Sequence, residues 1–290
     1  SALKRYSLLV DELNSPNPRL IDTPWPSINK VIHYYSPGNL ICLVSRFAVG
    51  KSWLLIAWAE YLAMRGFAVS IISKEMSADE IHDRLECLRY ALPWDLFRAG
   101  ELPPDLLRKW RKARKAKSTA SIVISGEESV EGSGIAQVVT QIQRCQPQVV
   151  FVDGAYLLNV KGVSKNASAP EKFAELSSSF KRIAKALNLI IVVVLQFNRE
   201  AEQVSGVSKG GLTNVFGSDS WAQNADCLLS LNGQRGGATR ELTIDKGRNS
   251  AIAACTIDFS LSPPRFPERA STVQQKLKQT AGQVTFKAVI

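Results

Sequence analysis

The chain has 290 residues, of which 45% are hydrophobic, enough for one large α/β domain with extensions or for two small domains. Its net charge of +10 favours polyanionic partners such as nucleic acid, although an excess of basic residues also occurs on proteins without such partners. No apolar run reaches the roughly 20 residues of a membrane span and the N-terminus lacks a signal-peptide layout, which indicates a cytoplasmic protein without a membrane partner.

Five cysteines also indicate an intracellular protein, because they are odd in number, scattered, and never spaced as CxxC. Three of them lie inside apolar, strand-like runs, so we expect buried thiols in a reducing compartment. The five are Cys42, Cys87, Cys145, Cys227 and Cys255.

Residues 1–36 form the first predicted segment, an extended arm or linker rather than a packed helix. The segment contains four prolines within a short stretch, and proline interrupts helices. Such an arm could lie on a neighbouring subunit or could be a flexible terminus, and both alternatives stay open. The prolines are Pro16, Pro18, Pro24 and Pro26.

The segment SRFAVGKS, residues 45–52, is the central motif of the chain and is typical of a P-loop. It follows the apolar run 40–44 and precedes a helix-like run at 53–64, which is the order in which a P-loop joins a strand to a helix. Its backbone N–H groups would face nucleotide phosphates, and the helix N-terminus would add partial positive charge. The alternative is an ordinary strand–helix turn.

The P-loop interpretation gives the residues of this motif a role in nucleotide binding. Lys51 would reach the β- and γ-phosphates, and Ser52 would ligate Mg²⁺. Ser45 replaces the usual glycine at the first position, and a small residue can make this turn while φ stays negative. The predicted nucleotide-binding residues of the motif are Ser45, Arg46, Phe47, Ala48, Val49, Gly50, Lys51 and Ser52.

A strand at 68–73 is predicted to place Glu75 at the ligand-binding edge of the sheet. Ligands of open α/β sheets bind beyond the carboxyl ends of the strands, so Glu75 could polarise the water that attacks the γ-phosphate. The alternative is a solvated loop charge. Ser77 followed by Glu80 predicts a capping box at the start of a helix over residues 78–90.

Residues 92–120 are predicted to be helical and irregular, with seven basic residues between positions 108 and 117. A DNA contact is one interpretation of such a run. The solvated face of a surface helix is favoured, because the charges follow one another around the helix and leave only Leu107 and Trp110 for burial.

The apolar run 149–152 followed by Asp153 has the Walker B pattern, in which a buried strand delivers a carboxylate to the second shell of a metal, near the P-loop serine. Short apolar runs that end in Asp are common, but the upstream P-loop makes this one a strong signal. Asp153 and Ser52 are therefore the predicted residues of the metal site. A strand at 122–125 and an amphipathic helix at 134–145 precede this run.

The dense β-branched run 190–195 predicts another buried parallel strand, which follows a helix over 171–187 and ends at Gln196. The Gln196 amide could hydrogen-bond the γ-phosphate or the attacking water. Further strands are predicted at 227–231 and 241–245.

Lys246 and Arg248 follow the last of these strands and stand two residues apart. Such residues project to the same side of an extended segment, so both could approach one phosphate. Residues 253–259 are predicted to close the sheet, and the tail that begins at residue 263 shows no clear core pattern beyond residues 265–266.

The order of these segments resembles the RecA-like ATPase domain of DnaB-family replicative helicases, from about residue 23 to residue 266. Local blocks carry the resemblance: SRFAVGKS is similar to that family's P-loop, SKEMS to its catalytic-glutamate segment and VVFVDGAYLL to its Walker B strand. FKRIAKALNLIIVVVLQFNRE is similar to the helix and strand that end in the sensor glutamine. GSDSWAQNADCLL, DKGRNS and SPPRF resemble its last blocks.

The resemblance implies an α/β fold with a RecA-like P-loop NTPase core, a mainly parallel sheet flanked by helices, over residues 37–262. Residues 1–36 would be an N-terminal arm or linker, and residues 263–290 a C-terminal tail. ATP and Mg²⁺ are the implied cofactors, and Arg265 would lie near the nucleotide base. The residues implied in catalysis are Glu75, Gln196, Lys246 and the arginine finger Arg248.

The same resemblance implies an ATP-dependent DNA helicase motor that works in DNA replication as a ring, commonly hexameric, around single-stranded DNA. Each ATP would lie between subunits, with Arg248 of one subunit at the γ-phosphate bound by the next. Loops 160–170 and 200–214 would follow DNA phosphates. A primase or a helicase loader is a further implied partner. The implied DNA-binding lysines are Lys161, Lys165 and Lys209.

Three features depart from the family pattern. No segment matches the family's N-terminal helical domain, which indicates a trimmed chain or a shorter relative; Ser45 opens the P-loop; and Gly154 stands where an aromatic residue usually follows the Walker B Asp. Neither substitution removes a charged catalytic group. Two other functions stay open: a recombinase-like filament in which ATP controls strand pairing, and a nucleotide-gated loader or scaffold that binds DNA without useful turnover.

Overall fold

The structure, a computed structural model, describes residues 2–15, 19–115, 122–127, 134–160, 168–196, 219–247 and 253–270. Its centre is an eight-stranded sheet. In chain order the strands are β1 Leu40–Ser45, β2 Val69–Ser73, β3 Ile122–Ser125, β4 Val149–Asp153, β5 Ile190–Gln196, β6 Cys227–Asn232, β7 Thr239–Gly247 and β8 Ala254–Asp258. A short hairpin of β9 Ser260–Leu261 and β10 Pro264–Arg265 follows.

The sheet is mainly parallel, as the sequence predicts. Its strand order is β3-β2-β4-β5-β1-β6-β7-β8. Neighbours from β3 to β6 pair in parallel, whereas β7 and β8 add an antiparallel edge. Strand β1, which leads into the P-loop, lies in the middle of the sheet between β5 and β6.

Helices cover both faces of this sheet and bury two hydrophobic clusters. Leu54 and Trp58 belong to the cluster on one face, and Val138 and Phe180 belong to the cluster on the other. The helices are α1 Ala2–Leu13, α2 Pro26–Ile32, α3 Lys51–Met64, α4 Ala78–Arg89, α5 Trp94–Ala99, α6 Pro104–Lys115, α7 Ile135–Cys145, α8 Ala169–Ala186 and α9 Asp219–Asn224.

Because helices cover both faces of the sheet, its strands appear in the sequence as unbroken apolar runs. In β1, Ile41 and Leu43 pack into the cluster that contains α3, while Leu40, Cys42 and Val44 pack into the opposite cluster. Alternate side chains point to opposite faces of a sheet, so a strand with helices on both sides needs apolar residues at every position. The same reasoning places Cys42, Cys227 and Cys255 in strands with buried thiols, as predicted.

The N-terminal segment differs from the extended arm that its prolines suggest. Residues 2–13 form α1, and residues 26–32 form α2, in which Pro26 occupies the first turn. A proline at this position does not break a helix, because the first N–H groups of a helix have no intrahelical partner. Trp25 and Ile28 are fully buried in the main cluster, so this part of the segment is packed core.

Residues 25–27, which precede β1, are hydrogen-bonded to residues 266–268, which follow β10. The Trp25 indole N–H donates to the Phe266 carbonyl at 3.1 Å, and the Ser27 backbone N–H donates to Glu268 at 2.8 Å. The Phe266 ring packs against Trp53 and lies 4.8 Å, centroid to centroid, from Phe259. Residues 264–268 therefore belong to the packed structure, although the sequence shows a core pattern only at residues 265–266.

The basic run between α4 and β3 forms α6, whose basic side chains are all exposed, in line with the solvated face that the sequence favours. Trp110 anchors this helix by donating its indole N–H to Glu86 at 2.7 Å and by packing against Phe97. Across the described ranges, no helix combines the length and the apolarity that crossing a membrane requires.

Candidate nucleotide-binding site

The loop between β1 and α3 has the backbone geometry of a P-loop. Ala48 and Gly50 both have positive φ, 61° and 110°, and Gly50 directly precedes the helix. A Cβ at Gly50 would lie 2.3 Å from the Phe259 ring, so glycine is required there both for its φ and for space. Ser45 ends β1 as an extended residue, so the first position of the motif needs no glycine.

Four of the predicted site residues meet at the carboxyl edge of the sheet. Lys51 donates from Nζ to both oxygens of Glu75, at 2.7 and 3.0 Å. Ser52 donates from Oγ to Oδ2 of Asp153 at 2.8 Å, and Lys51 Nζ lies 3.8 Å from Oδ1 of the same carboxylate. The pairing of β2 with β4 sets Ser73 beside Asp153, which brings the two carboxylates to one end of the sheet.

The Asp153 carboxylate has the properties of a ligand for a hard divalent cation. Its side chain is fully buried, burial raises its pKa above the ordinary value, and the Lys51 ammonium opposes that rise. Among the described residues, Oδ1 receives no hydrogen bond, although it is buried. A buried carboxylate oxygen beside a serine hydroxyl is the oxygen donor set that Mg²⁺ prefers, so Ser52 and Asp153 fit this ion.

Tyr156 is a contact of the site that the sequence analysis did not identify. It lies in the single turn of 3-10 helix, Ala155–Leu157, that follows β4. Its hydroxyl donates to Oε1 of Glu75 at 2.5 Å. Burial and this hydrogen bond raise the pKa of Tyr156, so the hydroxyl stays protonated and can donate.

The site opens into a cleft of about 670 Å³, and Arg84 of α4 lines one side of it. The Arg84 guanidinium lies 5.6 Å from the Trp53 ring centroid and 5.7 Å from that of Trp94. Burial lowers the pKa of Arg84, and within the described residues its Nε has no hydrogen-bond partner. A half-buried cation with an unused, buried donor is suited to an anionic or hydroxyl-bearing ligand.

The turn between β6 and β7 also lines the cleft, through Arg235 and Gly236. Arg240 of β7 donates from Nε to the Val49 carbonyl at 2.6 Å, and its guanidinium lies 4.3 Å from the Phe259 ring centroid. Arg240 therefore ties the P-loop to the antiparallel edge of the sheet. This contact joins residues 191 positions apart, and no local sequence pattern indicates it.

Three other predicted site residues lie apart from this cluster. Gln196 ends β5 and pairs in register with Ser45, so it stands next to the start of the P-loop. Lys246 donates from Nζ to the carbonyls of Ala225, at 2.9 Å, and of other residues at the end of α9, which caps that helix. Arg265 is exposed on β10. The predicted residues that lie outside the described ranges are Lys161, Lys165, Lys209 and Arg248.

A parallel sheet that carries a P-loop after its central strand and acidic residues after β2 and β4 defines a RecA-like P-loop NTPase fold. Residues 21–268 match the family described as the DnaB-like helicase C terminal domain, and the chain belongs to that family. The family resemblance and the fold inferred from the sequence are confirmed.

Two curated relatives are named as replicative helicases. The chain is 24% identical over 231 residues to the probable plasmid replicative DNA helicase of Chlamydia trachomatis, covering 79% of this chain and 50% of the relative. It is 26% identical over 250 residues to the replicative DNA helicase DnaB of Treponema pallidum, covering 85% of this chain and 55% of the relative. The chain thus spans about half the length of the curated relatives it matches.

Solved structures share the fold. One of them, a separately solved ATPase domain, superposes with a TM-score of 0.79 and 17% identity, covering 93% of this chain and 99% of that domain. A DnaB-like replicative helicase, solved together with its interactions with primase, superposes with a TM-score of 0.75 and 18% identity, covering 90% of this chain and 66% of that one.

Proposed function

We propose that this chain is the ATP-dependent motor of a replicative DNA helicase, which moves along single-stranded DNA as a ring-shaped oligomer. The observation that carries the proposal is the convergence of Lys51, Ser52, Glu75 and Asp153 beside a cleft large enough for a nucleotide. These groups come from the P-loop and from the ends of two further strands, and together they supply phosphate binding, a metal site and a base.

Each group has a defined task in ATP hydrolysis. The P-loop N–H groups and the Lys51 ammonium hold the phosphates, and Glu75 accepts a hydrogen bond from the attacking water and orients it. Ser52 and Asp153 would hold Mg²⁺, which when bound offsets the phosphate charge. Gln196, at the end of β5, contacts the γ-phosphate or the water.

The proposal includes a contribution from a neighbouring copy. Arg248 would approach the γ-phosphate held by the adjacent P-loop, which makes hydrolysis depend on assembly. Lys246, two residues earlier, binds the carbonyls at the end of α9 and so supports the start of the segment that carries Arg248. Arg265 would lie near the base.

An exposed apolar stripe on α1 supports self-association. Leu3, Tyr6, Val10 and Leu13 lie on one face of this helix, and Leu3 and Tyr6 are 81% and 67% exposed. Within the described part of the chain, no residue of α1 is buried. Isolated helices of about twelve residues are marginal in water, so a second copy that covers this stripe would stabilise α1.

The proposed DNA contacts are the loops 160–170 and 200–214, through Lys161, Lys165 and Lys209, in a chain with a net charge of +10. One structural relative was solved together with its interactions with primase, and a primase or a helicase loader is the protein partner we propose for this chain.

The decisive experiment measures DNA-stimulated ATP hydrolysis beside oligomeric state. Lys51→Ala should abolish both hydrolysis and unwinding, because the phosphates lose their cation, whereas the exposed Lys30→Ala should behave like the native chain. Hydrolysis should rise with assembly, since Arg248 acts on the neighbouring site. Normal unwinding by Lys51→Ala would refute the proposal.

The two alternative functions predict different results in the same assays. Electron microscopy on single-stranded DNA distinguishes closed rings, expected for the helicase motor, from the open helical filaments of a recombinase-like protein. DNA binding with negligible DNA-stimulated hydrolysis would instead indicate a loader or scaffold.

A further inference from the structure

The Glu75 carboxylate is held by two side chains from different parts of the chain. Lys51 donates to both of its oxygens, and the Tyr156 hydroxyl donates to Oε1. Oε1 therefore accepts two hydrogen bonds, one from a cation and one from a neutral hydroxyl. A triphosphate that enters the cleft would compete with Glu75 for Lys51 more strongly than for Tyr156.

Lys51 is the donor that a triphosphate would take away from Glu75. Its ammonium belongs to the P-loop helix, and a triphosphate carries more negative charge than a single carboxylate. Tyr156 lies after β4, outside the P-loop, and its hydroxyl is neutral, so it is attracted to the phosphates less strongly than the Lys51 ammonium. Once Lys51 turns to the nucleotide, Tyr156 continues to orient the Glu75 carboxylate.

Gly154 supplies the space in which Glu75 is held. Its backbone has φ of +76°, and a Cβ there would lie 2.9 Å from Glu75 Cγ and 3.3 Å from the Glu75 backbone nitrogen. A Cβ at position 154 would therefore be too close to the Glu75 side chain for both to keep their present positions, and we expect the carboxylate to be displaced. Gly154 and Tyr156 therefore both affect the position of the Glu75 carboxylate.

We propose that Tyr156 is a positioning residue for Glu75, and that Gly154 makes room for this arrangement. The inference rests on the proposed ATP hydrolysis, in which Glu75 orients the attacking water. Tyr156 does not touch the reacting atoms; it keeps the carboxylate directed at the water after Lys51 has moved to the phosphates.

Tyr156→Phe removes the donor and leaves the ring in place. We expect kcat for DNA-stimulated ATP hydrolysis to fall about 10- to 100-fold, the range for losing a hydrogen bond to a charged group, while the KM for ATP changes less than about twofold. Tyr61→Phe is the matched control, since its hydroxyl bonds Asp22 at the other end of α3, and it should match the native chain.

A double-mutant cycle separates positioning from a merely structural role. If Tyr156 acts through Glu75, Tyr156→Phe should not lower further the residual hydrolysis of Glu75→Gln, measured in single turnovers. A structural role would lower the rate by the same factor in both backgrounds, and that result would overturn the inference.

Gly154→Ala tests the space beside Glu75. We expect a fall in kcat at least as large as that of Tyr156→Phe. Gly100→Ala is the matched control, because Gly100 has φ of +73° but a Cβ there meets none of the described atoms within 4 Å. Both variants carry the same backbone strain, so only Gly154→Ala should lose activity.

The outcomes distinguish this inference from the function on which it rests. A native chain that hydrolyses no ATP under assembly conditions refutes the proposed function and this inference with it. Native hydrolysis with unchanged kcat in Tyr156→Phe refutes the positioning role alone. Equal activity of Gly154→Ala and Gly100→Ala refutes the role of the space at Gly154.

Discussion

Asp245 is a partly buried carboxylate in β7, one residue before Lys246. Burial raises its pKa to about 6, although a hydrogen bond from the Ser230 side chain opposes the rise. A raised pKa means that the folded chain binds this proton more tightly than the unfolded chain does. The group therefore stabilises the fold below about pH 4, and this contribution is lost as the pH rises through about 6.

Asp245→Asn should remove this loss of stability with rising pH. At pH 8 we expect its free energy of unfolding to exceed that of the native chain by about 1–2 kcal/mol, a value reduced for solvent screening at a partly exposed site. At pH 4 the two should agree closely, because the native carboxyl is then neutral. Denaturant titrations at both pH values measure the difference. Asp105→Asn, at an exposed position, is the control, and an equal gain at both pH values would contradict the explanation.

The site residues that the sequence identifies are those that stand at or just after the end of a predicted strand. Lys51 and Ser52 stand in the P-loop motif, and Asp153 ends an apolar run, so the local pattern is enough to predict their meeting. Arg84 and Arg240 reach the same cleft from a helix and from a distant strand. Their approach depends on tertiary packing, which spacing along the chain does not encode.

Helix α4 shows how a local signal positions a residue of the cleft. The Ser77 hydroxyl accepts from the Glu80 N–H at 3.2 Å, and the Glu80 side chain accepts from the Ser77 N–H at 3.2 Å, which confirms the predicted capping box. This box sets where the helix begins. The start of the helix in turn decides that Arg84, two turns later, faces Trp53 and Trp94.

Ser77→Ala should lower the free energy of unfolding by about 1 kcal/mol, because an N–H at the start of α4 loses its acceptor. For a chain of this size we expect the melting temperature to fall by about 2 °C, measured by calorimetry or circular dichroism. Ser77→Asp is the control, since aspartate also caps helices and should keep the native value. A melting temperature for Ser77→Ala equal to that of Ser77→Asp would show that the cap contributes no stability.

The strands of this sheet follow from the sequence more directly than the first helices do, for a physical reason. Runs such as β1 and β4 are buried on both faces, so their composition alone marks them. The segment before β1 carries prolines, which usually oppose helix, and only the burial of Trp25 and Ile28 shows that it packs as core. Tertiary contacts outweigh local preference in this segment.

In the molecule as a whole, the apolar stripe of α1 is exposed, because no residue of this helix is buried within the described ranges. Four apolar side chains of this stripe are exposed, and such surface on a helix is typical of a protein interface. If hydrolysis requires Arg248 of an adjacent copy, then losing this interface should lower activity as well as assembly.

Replacing Leu3 and Tyr6 together by serine should therefore shift the chain toward monomer and lower ATP hydrolysis per chain. Burial of two such side chains contributes about 3–6 kcal/mol, so we expect a loss of assembly of at least tenfold in concentration. Light scattering and hydrolysis on the same samples measure both effects. Leu8→Ser is the control, because Leu8 is 59% exposed on the opposite face of α1. Unchanged assembly of the double variant would exclude α1 from the interface.

Trp25 donates a hydrogen bond to Phe266, and Ser27 donates one to Glu268. A shortened version of this protein must therefore contain both segments to keep its packing. Expression from residue 37 would remove Trp25 and expose the Phe266 side of the cluster that packs against Trp53. A stop codon placed before residue 264 would leave the Trp25 indole without its acceptor. A minimal folded fragment must therefore keep residues 21–268 as one piece, and affinity tags belong outside that span.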